Sequence, residues 1–271
     1  MGLSVNTNVG AMVALKNLSA TQMKLENTQL RITTGFKVNG PKDDASTYAI
    51  AQRMRGDIAG MNAVKTALAT GDSTVNTAIS AGKAIADLLT EMKAKVVQAN
   101  QAGLDTQSRT ALHNDFKALR EQLSTIVSTA AFNEKNLIKE SATNLKVLST
   151  VDGSTITVSA QKMDTTTLAI NTSTLLNSSG ASSALTAIDS AITKVTDKLA
   201  ALGSAAKQIE VQSTFTATLV DILKEGVGNL VDADLAEESA SLQALQIQQQ
   251  LGVRSLSIAN AGPQSILGLF G

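Results

Sequence analysis

The 271-residue chain has no cysteine, no tryptophan, a single histidine and two prolines, and aromatic side chains make up only 2% of it. Without cysteine there are no disulfides, thiolate nucleophiles or cysteine-held metals. His113 alone cannot build a zinc site of the usual four-ligand kind. Scarce rings leave little to fill the centre of a rounded globule. The 43% of hydrophobic residues, mostly small and aliphatic, suit long helices packed side by side.

Net charge is absent as well, because 23 basic side chains balance 23 acidic ones. With no basic patch, neither nucleic acid nor an anionic membrane is expected as a partner. No stretch is apolar enough to span a bilayer, and the first thirty or so residues are too polar for a cleavable signal peptide.

What the chain does contain is a seven-residue apolar repeat. Met54, Met61, Leu68, Val75, Gly82, Leu89 and Val96 recur at seven. From Met61 onward each is followed three residues later by Val64, Gly71, Ala78, Ile85, Met92 or Ala99. This is a coiled-coil seam of about six heptads on a helix on the order of 80 Å long. A second seam runs through Leu112, Phe116, Leu119, Leu123, Ile126 and Ala130. A third pairs Leu185, Ile192, Leu199, Ala206, Ser213, Val220 and Val227 with Ile188, Val195, Leu202, Ile209, Thr216, Leu223 and Leu230. Gly71 and Gly82 occupy seam positions against their helix propensity, which predicts close approach of neighbouring helices there.

Between the second and third seams the period falls to two. Leu145, Val147, Ile156 and Val158 alternate with polar residues around Asp152-Gly153, a hairpin signature. Thr165 to Ser183 is expected to form a surface loop or a weak strand. Asn39 to Asp44 forms a break in which Asp43 and Asp44 are placed to cap the long helix, and Val231 to Asp234 forms another. Beyond the breaks lie two arms with helical stripes, Leu18, Leu25 and Ile32 in the first and Ala244, Leu251 and Ile258 in the last. Neither arm can bury its stripe alone, so the arms are expected to pair with each other or with other molecules.

Candidate chemistry is thin. His113 lies beside the second seam and reads as a solvated helix residue. Asp43 and Asp44 are adjacent and point apart, so capping suffices for them. Gly226-Val227-Gly228 lacks the third glycine and the preceding strand of a dinucleotide site and reads as loosening near the end of the bundle. No catalytic residue, cofactor or metal site is expected. The fold class is mainly α, a long antiparallel coiled-coil bundle with a small β-hairpin region and paired terminal helices.

The residues joining these pieces resemble the bacterial flagellins. Arg31-Ile32-Thr33-Thr34-Gly35-Phe36-Lys37-Val38-Asn39 and Lys42-Asp43-Asp44-Ala45 are similar to the family's Arg-Leu-Ser-Ser-Gly-Leu-Arg-Ile-Asn and Lys-Asp-Asp-Ala signature. Asn6-Thr7-Asn8 and Phe132-Asn133 with Leu137-Ile138 also match. So do Gln246-Ile247, Gln249-Gln250, Gly252, Leu256, Ala259-Asn260, Pro263-Gln264, Leu267 and Leu269 near the end. The resemblance covers nearly the whole chain, with the family's variable outer domains missing.

It implies a filament subunit whose self-assembly residues include Asn6, Leu18, Leu25, Arg31, Ile32, Gly35, Asn39, Lys42, Asp43 and Asp44 in the first arm and its break. Leu242, Gln250, Leu251, Leu256, Ile258, Asn260, Pro263 and Leu267 are their counterparts in the last arm. Residues 1–42 and 232–271 would be the arms of an inner tube. Residues 43–142, the hairpin and loop of 143–183, and the returning helix of 184–231 would form a surrounding bundle. The resemblance also implies uncleaved export through the flagellar type III apparatus, a chaperone on the last arm, and contacts with hook-associated and cap proteins.

A hook-filament junction protein is the alternative on the same terminal architecture; the closing Ala259-Asn260 and Pro263-Gln264 pattern favours the filament. Pro41, Tyr48 and the final Phe270-Gly271 depart from the family pattern. So does Glu91-Met92-Lys93-Ala94-Lys95, where flagellins detected by the vertebrate toll-like flagellin receptor carry Arg-Val-Arg-Glu-Leu. A poor receptor agonist is therefore expected.

Overall fold

A computed structural model describes residues 7–270, with side chains described as far as residue 261. Five helices and one hairpin follow in order: α1 (Val9–Thr34), α2 (Ala45–Ala99), α3 (Thr106–Thr129), β1 (Leu145–Leu148), β2 (Thr155–Val158), α4 (Ser178–Val231) and α5 (Leu235–Phe270). They form two compact units, Met1–Gly56 with Ile222–Gly271, and Asp57–Asp221.

The core of the second unit follows the heptads. Every seam position of α2 from Val64 to Ala99 is buried. Phe116 and Leu123 from α3, Ala130 just past its end, and Ile188, Val195, Leu202 and Ile209 from α4 complete the same apolar cluster. The side chain of Arg109 is buried beside it and donates to the carbonyls of Ala99 and Gln101, satisfying orphan acceptors where α2 ends. Asp105 caps α3 by accepting from the Ser108 N–H at 3.0 Å, and its bonds to Ser108 hold its carboxyl below the usual range.

The hairpin is antiparallel, with Leu145 opposite Val158 and Val147 opposite Ile156. It corrects the reading of Gly71. The close neighbour is not a helix but the hairpin, since a Cβ on Gly71 would lie 2.5 Å from Val147 Cγ2 and 2.8 Å from its Cγ1. At Gly82 the approach does involve another helix, with Leu199 Cδ2 of α4 at 2.7 Å. Gly71→Ala is expected to destabilise the chain by about 1–2 kcal/mol, despite the gain of roughly 1 kcal/mol in helix propensity, because β-branched Val147 cannot rotate away. Adding Val147→Ala should make the two costs non-additive in a denaturant-melt double-mutant cycle.

The segment after the hairpin is not a surface loop. Met163, Leu168, Ile170 and Leu175 are fully buried, and α4 begins at Ser178, inside the stretch expected to be irregular. The loop is pinned by the N–H groups of Gln161 and Met163 donating to Leu137 and Ile138 carbonyls, and by Arg120 Nη1 donating to the Asn171 carbonyl at 2.6 Å. His113 is half-buried instead of solvated, and its Nδ1 accepts from the Leu175 N–H at 3.3 Å. Burial pushes the Asp164 carboxyl up, but bonds from the Thr167 hydroxyl and N–H outweigh it and leave it below its ordinary value. Before this loop, Asn133 and Glu134 both have positive φ, 47° and 62°, in a tight turn closed by reciprocal Phe132–Lys135 backbone bonds. Glu134 carries a Cβ in the left-handed conformation that glycine adopts without penalty.

The terminal unit is built on α1 against α5. Ala14, Leu25 and Thr28 of α1 are buried, and Leu18 lies against Gly252, whose added Cβ would meet Leu18 Cδ1 at 3.2 Å. Asn8 caps α1 by accepting from the Ala11 N–H at 3.0 Å and donates from Nδ2 to the Ala259 carbonyl at 2.7 Å. Gln249 donates to Gln22 at 2.6 Å midway along the pair.

Candidate self-assembly site

At 100° per residue, the α1 side chains that meet α5 (Ala14, Leu18, Thr21, Leu25 and Thr28) share one face. Met12, Met23 and Leu30 fall within about 20° of one another on the opposite face. They are exposed, Met12 by 64% and Met23 by 62%. On α5 the inward face runs through Glu238, Leu242, Leu245, Gln249, Gly252, Leu256 and Ala259, all half-buried. Ile247, Leu251 and Ile258 lie on the outer side, with Leu251 57% and Ile258 75% exposed.

The two predicted stripes therefore have different placements. Leu18, Leu25 and Ile32 are half-buried or buried, with Leu18 and Leu25 facing α5, while Ala244, Leu251 and Ile258 are exposed. Leu242 and Leu256 belong to the inward face of α5, and Gln250 and Asn260 are exposed. Asn6 lies outside the described residues, as do the side chains of Pro263 and Leu267.

The breaks between helices are held by backbone hydrogen bonds. Gly35 ends α1 with φ 74°, a left-handed conformation that glycine adopts without penalty, and its N–H donates to the Arg31 carbonyl at 2.8 Å. Its own carbonyl accepts from the Ala233 N–H at 2.9 Å, and Lys37 N–H donates to the Val231 carbonyl at 2.8 Å, tying the two breaks together. Arg31 Nη1 donates to Glu238 at 2.9 Å, while its Nε is buried without a hydrogen-bond partner among the described residues. A polar cleft of about 480 Å³ opens there, lined in part by Lys24, Asn27 and Ser241.

Asp43 and Asp44 divide their work. Asp44 caps α2, accepting from the Ser46 and Thr47 N–H groups at 2.9 and 3.1 Å and from the Thr47 hydroxyl at 2.6 Å. The Thr47 bonds hold its carboxyl below its usual value. Its contribution is present above the ordinary carboxylate range and is lost as pH falls through the lowered value. Asp43 does not cap the helix. Its Oδ2 accepts from the Asn39 and Gly40 N–H groups, each at 3.0 Å, so it closes the preceding turn beside exposed Lys42.

Sequence reasoning missed Asp234, which caps α5 by accepting from the Ala236 N–H at 2.9 Å, and Glu238 as the partner of Arg31. An acidic residue one position before a new helical period was the available signal for the cap. It also missed the Met12, Met23 and Leu30 row, whose spacings of eleven and seven close on one face over five turns. Gly226 does not loosen α4: the helix continues to Val231, and a Cβ there would meet Met54 Cε at 2.9 Å.

Among the described residues no group of three or more His, Cys, Asp or Glu side chains could hold a metal ion, and no helix is long and apolar enough to cross a membrane. Paired terminal helices with apolar rows on both sides define a helical assembly subunit. Comparison with known proteins gives the kind of assembly. The bacterial flagellin N-terminal helical region matches residues 5–143 and the C-terminal helical region matches residues 185–270. The chain is 44% identical to flagellin FljK of Caulobacter vibrioides, covering 98% of each chain. It is 36% identical to a flagellin of Brucella melitensis, covering 98% of this chain and 99% of that one. A solved Vibrio parahaemolyticus protein described as flagellar hook-associated shares the fold with a TM-score of 0.57 at 13% identity, over 70% of this chain and 100% of that chain.

The chain belongs to the bacterial flagellin family. It is a structural subunit, not an enzyme, and it polymerises into the extracellular filament that propels swimming cells. The hook-associated likeness lies in fold alone, and nothing favours the junction alternative.

Proposed function

We propose that polymerisation runs through the outward faces of α1 and α5, and that the inward faces hold each arm pair together. Leu18, Leu25, Ile32, Leu242 and Leu256 keep the pair. Leu251, Ile258, Gln250 and Asn260 meet neighbouring subunits. Gly35, Asn39, Lys42, Asp43 and Asp44 set the turn that orients the arms, and Arg31 with Glu238 fixes their register. Asn6, Pro263 and Leu267 belong to the same contact set. The observation that carries this reading is the apolar row left exposed on α5, with Ile258 the most exposed large hydrophobic side chain described. Each such side chain gains about 1.5–3 kcal/mol on full burial. A contact between unlike faces is heterologous, and it propagates as an open filament when its rotation does not close into a ring.

Residues 1–42 and 232–271 then form the inner tube, with 43–142, 143–183 and 184–231 outside it. The subunit leaves the cell through the flagellar type III apparatus. A chaperone on the last arm shields the α5 row before polymerisation, and hook-associated and cap proteins contact the ends of the filament. Seeded growth tests the reading. Purified chain should extend filament fragments to micrometres, and arrest after a single ring would favour an adaptor instead.

The same chain is a poor agonist of the toll-like flagellin receptor. In the relevant stretch Lys93 is paired with Asp189 at 2.7 Å and Lys95 with Asp115 at 2.8 Å, Met92 is fully buried, and Glu91 is exposed with reversed charge. Purified monomer should give little signal in receptor-bearing reporter cells; robust signalling would overturn this.

A further inference from the structure

We propose that Met12 and Met23 are oxidative modification sites at which a peroxide-class oxidant blocks polymerisation of the free subunit. The inference rests on the reading of the outward α1 face as a subunit contact. The absences in the sequence set the stage: with no cysteine and no tryptophan, thioethers are the side chains a two-electron oxidant meets first. The fold then sorts the methionines. Met92 and Met163 are fully buried, Met54 and Met61 are half-buried, and Met12 and Met23 stand on the outer face of α1 with most of their surface in water. They project from the same side as Leu30, so both are shielded only when a neighbour covers that row.

The step balances simply. The thioether sulfur attacks one peroxide oxygen, the O–O bond breaks, an S–O bond forms, and water leaves. Sulfur loses two electrons and the peroxide gains them. The product is polar and accepts hydrogen bonds, and packed against a neighbouring apolar row its oxygen would lose water without gaining a donor. An oxidised subunit stays folded, because neither side chain contributes to the α1–α5 interface, but it adds poorly to a filament. Subunits already in the filament are protected, and sulfoxide reduction restores the free ones.

The test treats purified full-length chain with enough hydrogen peroxide to oxidise part of it, adds filament seeds, and separates polymer from supernatant. Mass spectrometry should find the sulfoxides at 12 and 23 depleted at least tenfold in the polymer. Methionine sulfoxide reductase should return the supernatant to the polymerising pool. Pre-formed filaments should resist oxidation at both positions. Equal sulfoxide content in polymer and supernatant, or oxidation falling on Met92 and Met163 before Met12 and Met23, would overturn the proposal. Ile247→Asp on α5 serves as the separating arm. If that variant polymerises normally, the reading of the outward faces fails. If it is blocked while sulfoxides partition evenly, only the oxidation proposal fails.

Discussion

Replacing Ile247 with aspartate is expected to raise the free-subunit concentration needed for filament growth more than a hundredfold while leaving the monomer's thermal melt almost unchanged. Ile247 is 58% exposed, so the isolated chain loses little packing there, and an exposed substitution of this kind changes stability by roughly 0.5 kcal/mol or less. On the proposed contact, the same position is covered by a neighbour in the polymer. A carboxylate buried there without a partner costs several kcal/mol, and about 1.4 kcal/mol is tenfold in an equilibrium constant. Ile247→Leu, which keeps volume and polarity, should retain growth within a few-fold. Sedimentation of polymer from monomer reads both outcomes, and circular dichroism shows that the variants are folded.

Phe116→Ala should have the opposite profile, a large loss of monomer stability. Phe116 is fully buried in the seam that α3 presents to α2 and α4. Elsewhere this core is filled by Ala, Val, Leu, Ile and the two methionines Met92 and Met163, already close-packed, so little is free to fill the space a lost ring leaves. The expected cost is about 3–5 kcal/mol by denaturant melt, from lost transfer energy plus an unfilled cavity. Phe215→Ala, at a position 59% exposed on α4, provides the contrast and should cost little. A small effect at Phe116 would mean that the bundle relaxes around the gap.

The heptads of α2 were legible because one stripe faces a continuous core, and burial from Val64 to Ala99 follows them residue by residue. The hairpin was legible from its period of two and from Gly153, which takes φ 91° in the turn. Two kinds of feature were not. The loop carrying Met163, Leu168, Ile170 and Leu175 has no period, since Met163 and Leu175 are set by tertiary hydrogen bonds and Leu168 and Ile170 by local turns, not by a helical or strand repeat. The faces of α5 were ambiguous for a different reason. A helix that packs within its own chain on one side and against other chains on the other shows apolar residues around much of its circumference, so periodicity alone picks out a row without saying who covers it. The seven-spaced row at Ala244, Leu251 and Ile258 turned out to be exposed, while the intrachain contact uses the mixed face of Leu245, Gln249, Gly252 and Leu256. The capping role expected of both Asp43 and Asp44, of which only Asp44 has it, had the same limit, because adjacent carboxylates look alike until the turn fixes which N–H groups each can reach.

Electron cryomicroscopy of filaments grown from the purified chain tests most directly whether assembly uses the outward faces of the terminal helices. The expected result is a hollow filament in which Met12, Met23 and Leu30 of one subunit and Ile247, Leu251 and Ile258 of another are buried at subunit contacts. A filament in which these rows remain open to water, with subunits joined only through residues 57–221, would contradict it.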